Sequence, residues 1–233
     1  MIKLDWSILL GDGGERLIEG AKVTLQLAAT SLVLALVLGF LFGVVRWLQI
    51  RPLEPICWLY VEFSRNAPPL VQILFWYFSA TVVLPGWAIV ILRDYGFQFV
   101  AASFALGVYH SGFVAEIVRG GLNAIPRGQY EAAQAIGFTI PQTVGSILMP
   151  QLLRVIMPML TSEAVSLVKN TSLALAIGVT EITYQARYID VYTFRGVEAL
   201  LVVTAFYLVT CLAIAGCGSL LQRFLQRNRR IAA

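Results

Sequence analysis

An all-α membrane protein of about five transmembrane helices is the fold class this sequence predicts, and three observations carry it. Of its 233 residues, 58% are hydrophobic and only 13% charged, with a mean hydropathy of +0.78. A soluble domain is nearer to half apolar and a quarter charged. Apolar runs recur that are long enough to cross a hydrocarbon core of about 30 Å at about 1.5 Å per residue. The net charge of +4 is concentrated in Arg223, Arg227, Arg229 and Arg230, a cluster suited to an anionic cytoplasmic membrane face and not to nucleic acid. One compact membrane domain is expected. Cys57, Cys211 and Cys217 have neither metal-ligand spacing nor the look of a disulfide framework, so no metal site is expected.

Residues 1–22 read as an N-terminal interfacial segment lying on the membrane, with spaced apolar residues and a Gly11-Asp12-Gly13-Gly14 turn. Their acidic residues do not fit a cleaved signal peptide. The membrane domain occupies 23–222, beginning with an almost unbroken apolar span from Val23 to Val45. Gly39 and Gly43 in it form a small-xxx-small pair for close helix packing. A second span, Ile56 to Leu84, is interrupted by Ser64-Arg65-Asn66-Ala67-Pro68-Pro69. Prolines remove backbone donors, and a charged break at membrane depth is tolerated only beside protein or a water-filled cavity. Arg65 is therefore a functional candidate.

The third span runs from Gly96 to Val118 and ends in Glu116 and Arg119, three apart and able to pair. His110, the single histidine, reads as a packed residue. A fourth span, Gly145 to Val168, leads into the richest polar set: Glu163, Ser166, Lys169, Asn170, Thr171 and Ser172. An ionisable group inside a span costs a few kcal/mol or more, which makes it a functional candidate by default. At about 100° per residue, Glu163, Ser166 and Asn170 share one helix face. Leu173 to Val179 reads as a half-helix returning toward the outer face, and Glu181 to Glu198 as an external loop with some structure. The fifth span is Val197 to Leu220, and 223–233 is a basic cytoplasmic tail. With the N-terminus outside, the inner segments hold nine basic residues and the outer ones six; the asymmetry favours N-out, C-in.

Between the third and fourth spans lies GQYEAAQAIGFTIPQTVGSILMP, Gly128 to Pro150. Glu131-Ala132-Ala133 opens a short helical pattern and Gly137 stands where a glycine would stop it. Ile147 and Pro150 follow at fixed distances. The spacing resembles the EAA motif of permease subunits in binding-protein-dependent ABC importers, with Met149 in place of the usual Leu. YVEFSRNAPPLVQILFWYF (60–78) and AEIVRGGLNAIPRGQ (115–129) are similar to signatures of the polar amino-acid subfamily.

The resemblance implies a type I ABC importer permease in a bacterial inner membrane. A cytoplasmic coupling helix at about 127–138, using Gly128, Glu131, Ala132, Ala133 and Gly137, would dock on a separate ATP-binding subunit. It also implies an ATP-binding subunit dimer, a second permease (a copy or a homologue), an extracytoplasmic substrate-binding protein and surrounding lipid. No cofactor belongs to the chain itself: no Gly-x-x-x-x-Gly-Lys-Ser/Thr loop occurs in it, so ATP would be bound by the partner, and no catalytic residue is assigned. MLTSEAVSLVKNTSLA resembles the family's substrate-lining segment. There the position of Glu163 can engage the amino acid's charged α-groups and the position of Asn170 can be an acid; Ser166, Thr171 and Arg65 complete the candidate set. A neutral Asn170 argues against a purely cationic substrate, and the chain looks closest to permeases of glutamate/aspartate importers. Glutamine, histidine or arginine is the alternative. A more distant reading is an intramembrane hydrolase using the Ser166–Lys169 spacing, and a third is a passive channel, whose flux would not need ATP.

Overall fold

The structure, a computed structural model, describes residues 4–9, 11–94 and 96–227. Its axis is a pair of long helices, α1 (Asp12–Leu48) and α5 (Phe97–Asn123). They lie backbone against backbone because Gly39 and Gly43 leave no side chain between them. A Cβ at Gly39 would sit 3.0 Å from the Ser111 carbonyl oxygen, and one at Gly43 would sit 2.7 Å from that of Ala115. α5 is the most enclosed element, with Ala102, Ala105, Leu106 and Ala115 inaccessible.

The first helix begins at Asp12, so 12–22 belong to the helix and not to a separate interfacial segment. Within Gly11-Asp12-Gly13-Gly14, only Gly11 takes a left-handed φ, of 92°. Leu17 and Gly20 are buried, and Leu17 packs with Ile182 and Ile189; this contact, distant in sequence, extends the helix through Gly13-Gly14. Of residues 1–10, Trp6–Leu9 form a 3-10 turn. Asp5 pairs with Arg195 at 2.6 Å, and the residues of the interfacial reading at 1–3 and 10 lie outside the described residues.

The second span is two helices, α2 (Glu54–Asn66) and α3 (Pro69–Val83), broken at Ala67-Pro68, both extended with ψ near 135° and 138°. Pro68 cannot donate to the Ser64 carbonyl. The buried Gln72 side chain donates to it instead, at 2.8 Å, and to the Ala67 carbonyl at 3.2 Å. Residues 86–94, to which the sequence assigns no element, form a short helix, α4 (Gly86–Asp94).

After the loop helix α6 (Arg127–Ala135), the fourth span starts at Ile140 rather than Gly145. It runs through α7 (Ile140–Gln142), a π-helical stretch Thr143–Leu148 and α8 (Met149–Asn170). It then tightens into a 3-10 segment, Thr171–Ile177. The reading of Leu173–Val179 as a returning half-helix is thereby corrected: the chain continues α8 and turns only at Gly178, φ 80°. Thr171 and Ser172 hydroxyls donate to carbonyls three residues back, at 2.7 and 2.8 Å, back-bonding that competes with the α-helical ladder.

The expected loop at 181–198 is mostly helix α9 (Ile182–Thr193), followed by α10 (Gly196–Arg227). Ile182, Ala186 and Ile189, spaced as one helical face, bury against Leu17, Ala199 and Val203. α10 leaves Leu208, Val209 and Leu212 exposed on the outside of the bundle. Arg223 lies within it, and the tail beyond 227 is outside the described residues. Among the described residues, four helices are long and apolar enough to cross a membrane, and α3 is a shorter apolar helix.

Candidate functional site

The polar residues of the fourth span meet a partner from the third. Glu163 on α8 places Oε1 2.5 Å from His110 Nδ1 on α5, and Asn170 places Nδ2 3.2 Å from His110 Nε2. One imidazole thus bridges two side chains two helical turns apart. The His110 side chain is 1% exposed and that of Glu163 15%, so the histidine stands behind and the carboxylate in front. Asn170 and Ser166 are half-buried on the same helix.

Thr171 does not join this group. It is buried, donates to the Val168 carbonyl and lies 3.4 Å from Tyr207 Oη on α10. Arg65 also stands apart: its guanidinium lies 5.6 Å from the centre of the Phe113 ring and 4.0 Å from Glu62. It makes no hydrogen bond or ion pair with the His110 group. Lys169 is exposed and makes no hydrogen bond to Ser166, so the geometry of a serine–lysine nucleophile pair is not assembled.

Two residues are more engaged than sequence reasoning makes them. A histidine in an apolar span is a functional candidate by the same rule that singles out Glu163, but its partners lie 53 and 60 positions away. The second is Glu181, fully buried. As N-cap of α9 it accepts from the Tyr184 and Thr183 amides at 2.8 and 2.9 Å, and from Tyr207 Oη at 3.1 Å. Burial pushes its carboxyl above the ordinary range, against the opposing pull of those donors.

The loop helix α6 forms a second candidate surface. Ala133 is its one buried residue, and Tyr130 packs edge-on against Trp47 of α1 with ring centroids 5.6 Å apart. Those two contacts fix the helix to the bundle and turn Gly128, Glu131, Ala132 and Ile136 outward, Ile136 being 73% exposed. Gly137, φ 87°, ends it with a paired motif: its own amide bonds the Gln134 carbonyl and the Phe138 amide bonds that of Ala133, both at 3.0 Å. The Gln134 side chain then reaches Thr143 Oγ1 at 3.1 Å, tying α6 to the π-helical start of the fourth span.

At the end of α1 a cationic knot stiffens the same end of the bundle. Glu116 receives Arg46 from α1 and, at 2.8 Å, Arg119 from its own helix. The sequence pair Glu116–Arg119 is therefore part of a three-residue group.

The bundle thus carries a buried polar group between two spans and, on the loop ahead of one of them, a short helix fixed to the bundle with its other face outward. Residues 32–231 match the family described as binding-protein-dependent transport system inner membrane component. The chain belongs to that family, and its fold is that of a type I ABC importer permease. It is 35% identical to the glutamate/aspartate import permease protein GltJ of Escherichia coli K12 over 82% of this chain and 79% of that one. It is 31% identical to the glutamine transport system permease protein GlnP of the same organism over 99% and 100% of the two chains. Among solved structures it is similar to an amino acid ABC transporter with histidines, TM-score 0.79 and 27% identity, covering 95% of this chain and 99% of that one.

Proposed function

We propose that this chain is the permease subunit of an ABC importer that carries an amino acid across a bacterial inner membrane, with glutamate or aspartate as the substrate. The observation that carries the reading is α6: a short helix with the EAA spacing, anchored by Tyr130 and Ala133 and otherwise exposed. Glu131, Ala132, Gly128 and the Gly137 stop form the docking surface for a separate ATP-binding subunit. That subunit, acting as a dimer, binds and hydrolyses ATP; the permease itself holds no nucleotide and no cofactor. A second permease, a copy or a homologue, completes the path, and an extracytoplasmic binding protein delivers the substrate. The N-terminus lies outside and the C-terminus inside.

In this reading, closure of the ATP-binding dimer pulls on α6, and the pull passes through Gln134 and Thr143 into the fourth span. Glu163 takes the substrate's α-ammonium, with Asn170 and Ser166 along the same path; Thr171, turned to Tyr207, and Arg65, held by Phe113 and Glu62, lie off it. Similarity to GltJ supports an acidic substrate, and similarity to GlnP supports a carboxamide as the second reading. The test is uptake of labelled glutamate by vesicles holding the assembled transporter, competed in turn by unlabelled aspartate, glutamine, histidine and arginine. Competition by aspartate alone supports the acidic assignment. Stronger competition by glutamine or a basic amino acid replaces it.

A further inference from the structure

Resting on the amino-acid importer reading, we propose that His110 decides whether the site accepts a side-chain carboxylate or a side-chain carboxamide, by dictating which end of the Asn170 amide faces the substrate. His110 is enclosed behind Glu163 and Asn170 and does not reach the substrate, so it is a positioning residue. A carboxylate only accepts hydrogen bonds, so the nitrogen facing Glu163 Oε1 at 2.5 Å, Nδ1, carries a hydrogen. The other nitrogen then has two states. As the neutral imidazole, Nε2 accepts from the Asn170 Nδ2 3.2 Å away, leaving the amide's carbonyl oxygen and one N–H for the substrate. That pair complements a carboxamide, which also offers one donor and one acceptor.

As the imidazolium, Nε2 donates, and the amide turns its oxygen to the ring and both N–H groups outward. Two donors complement a carboxylate. Charge acts in the same direction. With a neutral ring the group carries the single negative charge of Glu163 and repels an acidic side chain; with the imidazolium the two cancel.

Little else near the ring titrates. On α5 its neighbour is Tyr109, with ring centroids 5.0 Å apart. α1 has no ionisable residue between Lys22 and Arg46, and α3 has only Tyr77, packed edge-on against Phe78 and tilted against Phe97. α2 contributes Arg65, drawn to Glu62 and Phe113, and Tyr60, hydrogen-bonded to Ser111 at 2.7 Å. α4, against the start of α5, has Arg93 and Asp94, and α8 adds Arg154 and the exposed Lys169; the 3-10 segment has none. Among the described residues, Glu163 is the one acid in contact with the ring.

The experiment uses the complete transporter in lipid vesicles, with binding protein supplied saturated with either labelled glutamate or labelled glutamine, so that the binding protein's own preference does not enter. The glutamate-to-glutamine uptake ratio is followed from about pH 8 to about pH 5.5. The expected wild-type ratio rises about tenfold toward acid, the size of one mismatched hydrogen bond, and is flat in His110→Gln and His110→Asn. A wild-type ratio that does not move with pH overturns the inference, and needs no variant to do so. A slope that survives in both variants assigns the proton to Glu163 and overturns it equally. Failure of the wild type to carry either amino acid overturns the importer assignment for these substrates, and the inference with it.

Discussion

Gly39→Ala tests the packing that holds the bundle together. The added methyl would lie against Val114 Cγ1, 2.5 Å from Val114 Cβ and 3.0 Å from the Ser111 carbonyl oxygen. Carbon atoms rest about 3.5–4.0 Å apart, so α1 and α5 would have to separate by about 1 Å, and the carbonyl, being backbone, can yield only if a whole helix moves. Inserting a methyl into a filled interface costs about 1–3 kcal/mol, while replacing a helical glycine by alanine returns about 1 kcal/mol. Gly120→Ala removes the second effect by comparison: Gly120 is also helical, on α5, and a Cβ there meets nothing within 4 Å. The two variants should therefore differ by the packing cost alone, about 1–3 kcal/mol. Read as apparent melting temperature of the purified complex, at roughly 2–4 °C per kcal/mol, Gly39→Ala should melt several degrees below Gly120→Ala. Equal melting temperatures would refute the close approach of α1 and α5.

The other predictions concern charge and hydrogen bonding. Glu131→Lys, at an exposed position of α6, should leave the chain inserted and as stable as wild type but separate ATP hydrolysis from uptake; normal uptake would remove α6 from the coupling. Glu163→Ala should abolish uptake while basal ATP hydrolysis persists, and a wild-type apparent affinity would take Glu163 out of the site. Glu181→Gln offers one acceptor oxygen to three donors now shared by two, which should cost about 1–3 kcal/mol, seen as a lower melting temperature. No loss there would mean that the Tyr207 and amide contacts do not hold α9 in place.

What the sequence makes legible follows the range of the forces involved. Spans and their breaks are local: Val23–Val45 is almost unbroken in its apolar character and holds no charge, and Pro68-Pro69 interrupts the helix, so both stand where expected. The α6 stop is local as well, since Gly137 accommodates its φ of 87° at little cost. The same periodicity was available in Ile182, Ala186 and Ile189, but tyrosine, glutamine and arginine between them lend the stretch a loop-like polarity. Its N-cap, a buried glutamate, also departs from the usual small capping residues. Partners distant in sequence were out of reach. Nothing near His110 announces Glu163 or Asn170, and nothing near Arg46 announces Glu116. Helical spacing on α8 put Glu163 and Asn170 on one face, but the residue that joins them belongs to a different helix.

The most direct test of the central claim is ATP hydrolysis by the chain copurified with the ATP-binding subunit and second permease proposed for it, in lipid vesicles, with amino-acid-loaded binding protein added outside. Stimulation by the glutamate- or aspartate-loaded protein, lost in Glu131→Lys, is the result predicted. An intact complex whose hydrolysis is indifferent to every loaded binding protein, or whose stimulation survives Glu131→Lys, would contradict it.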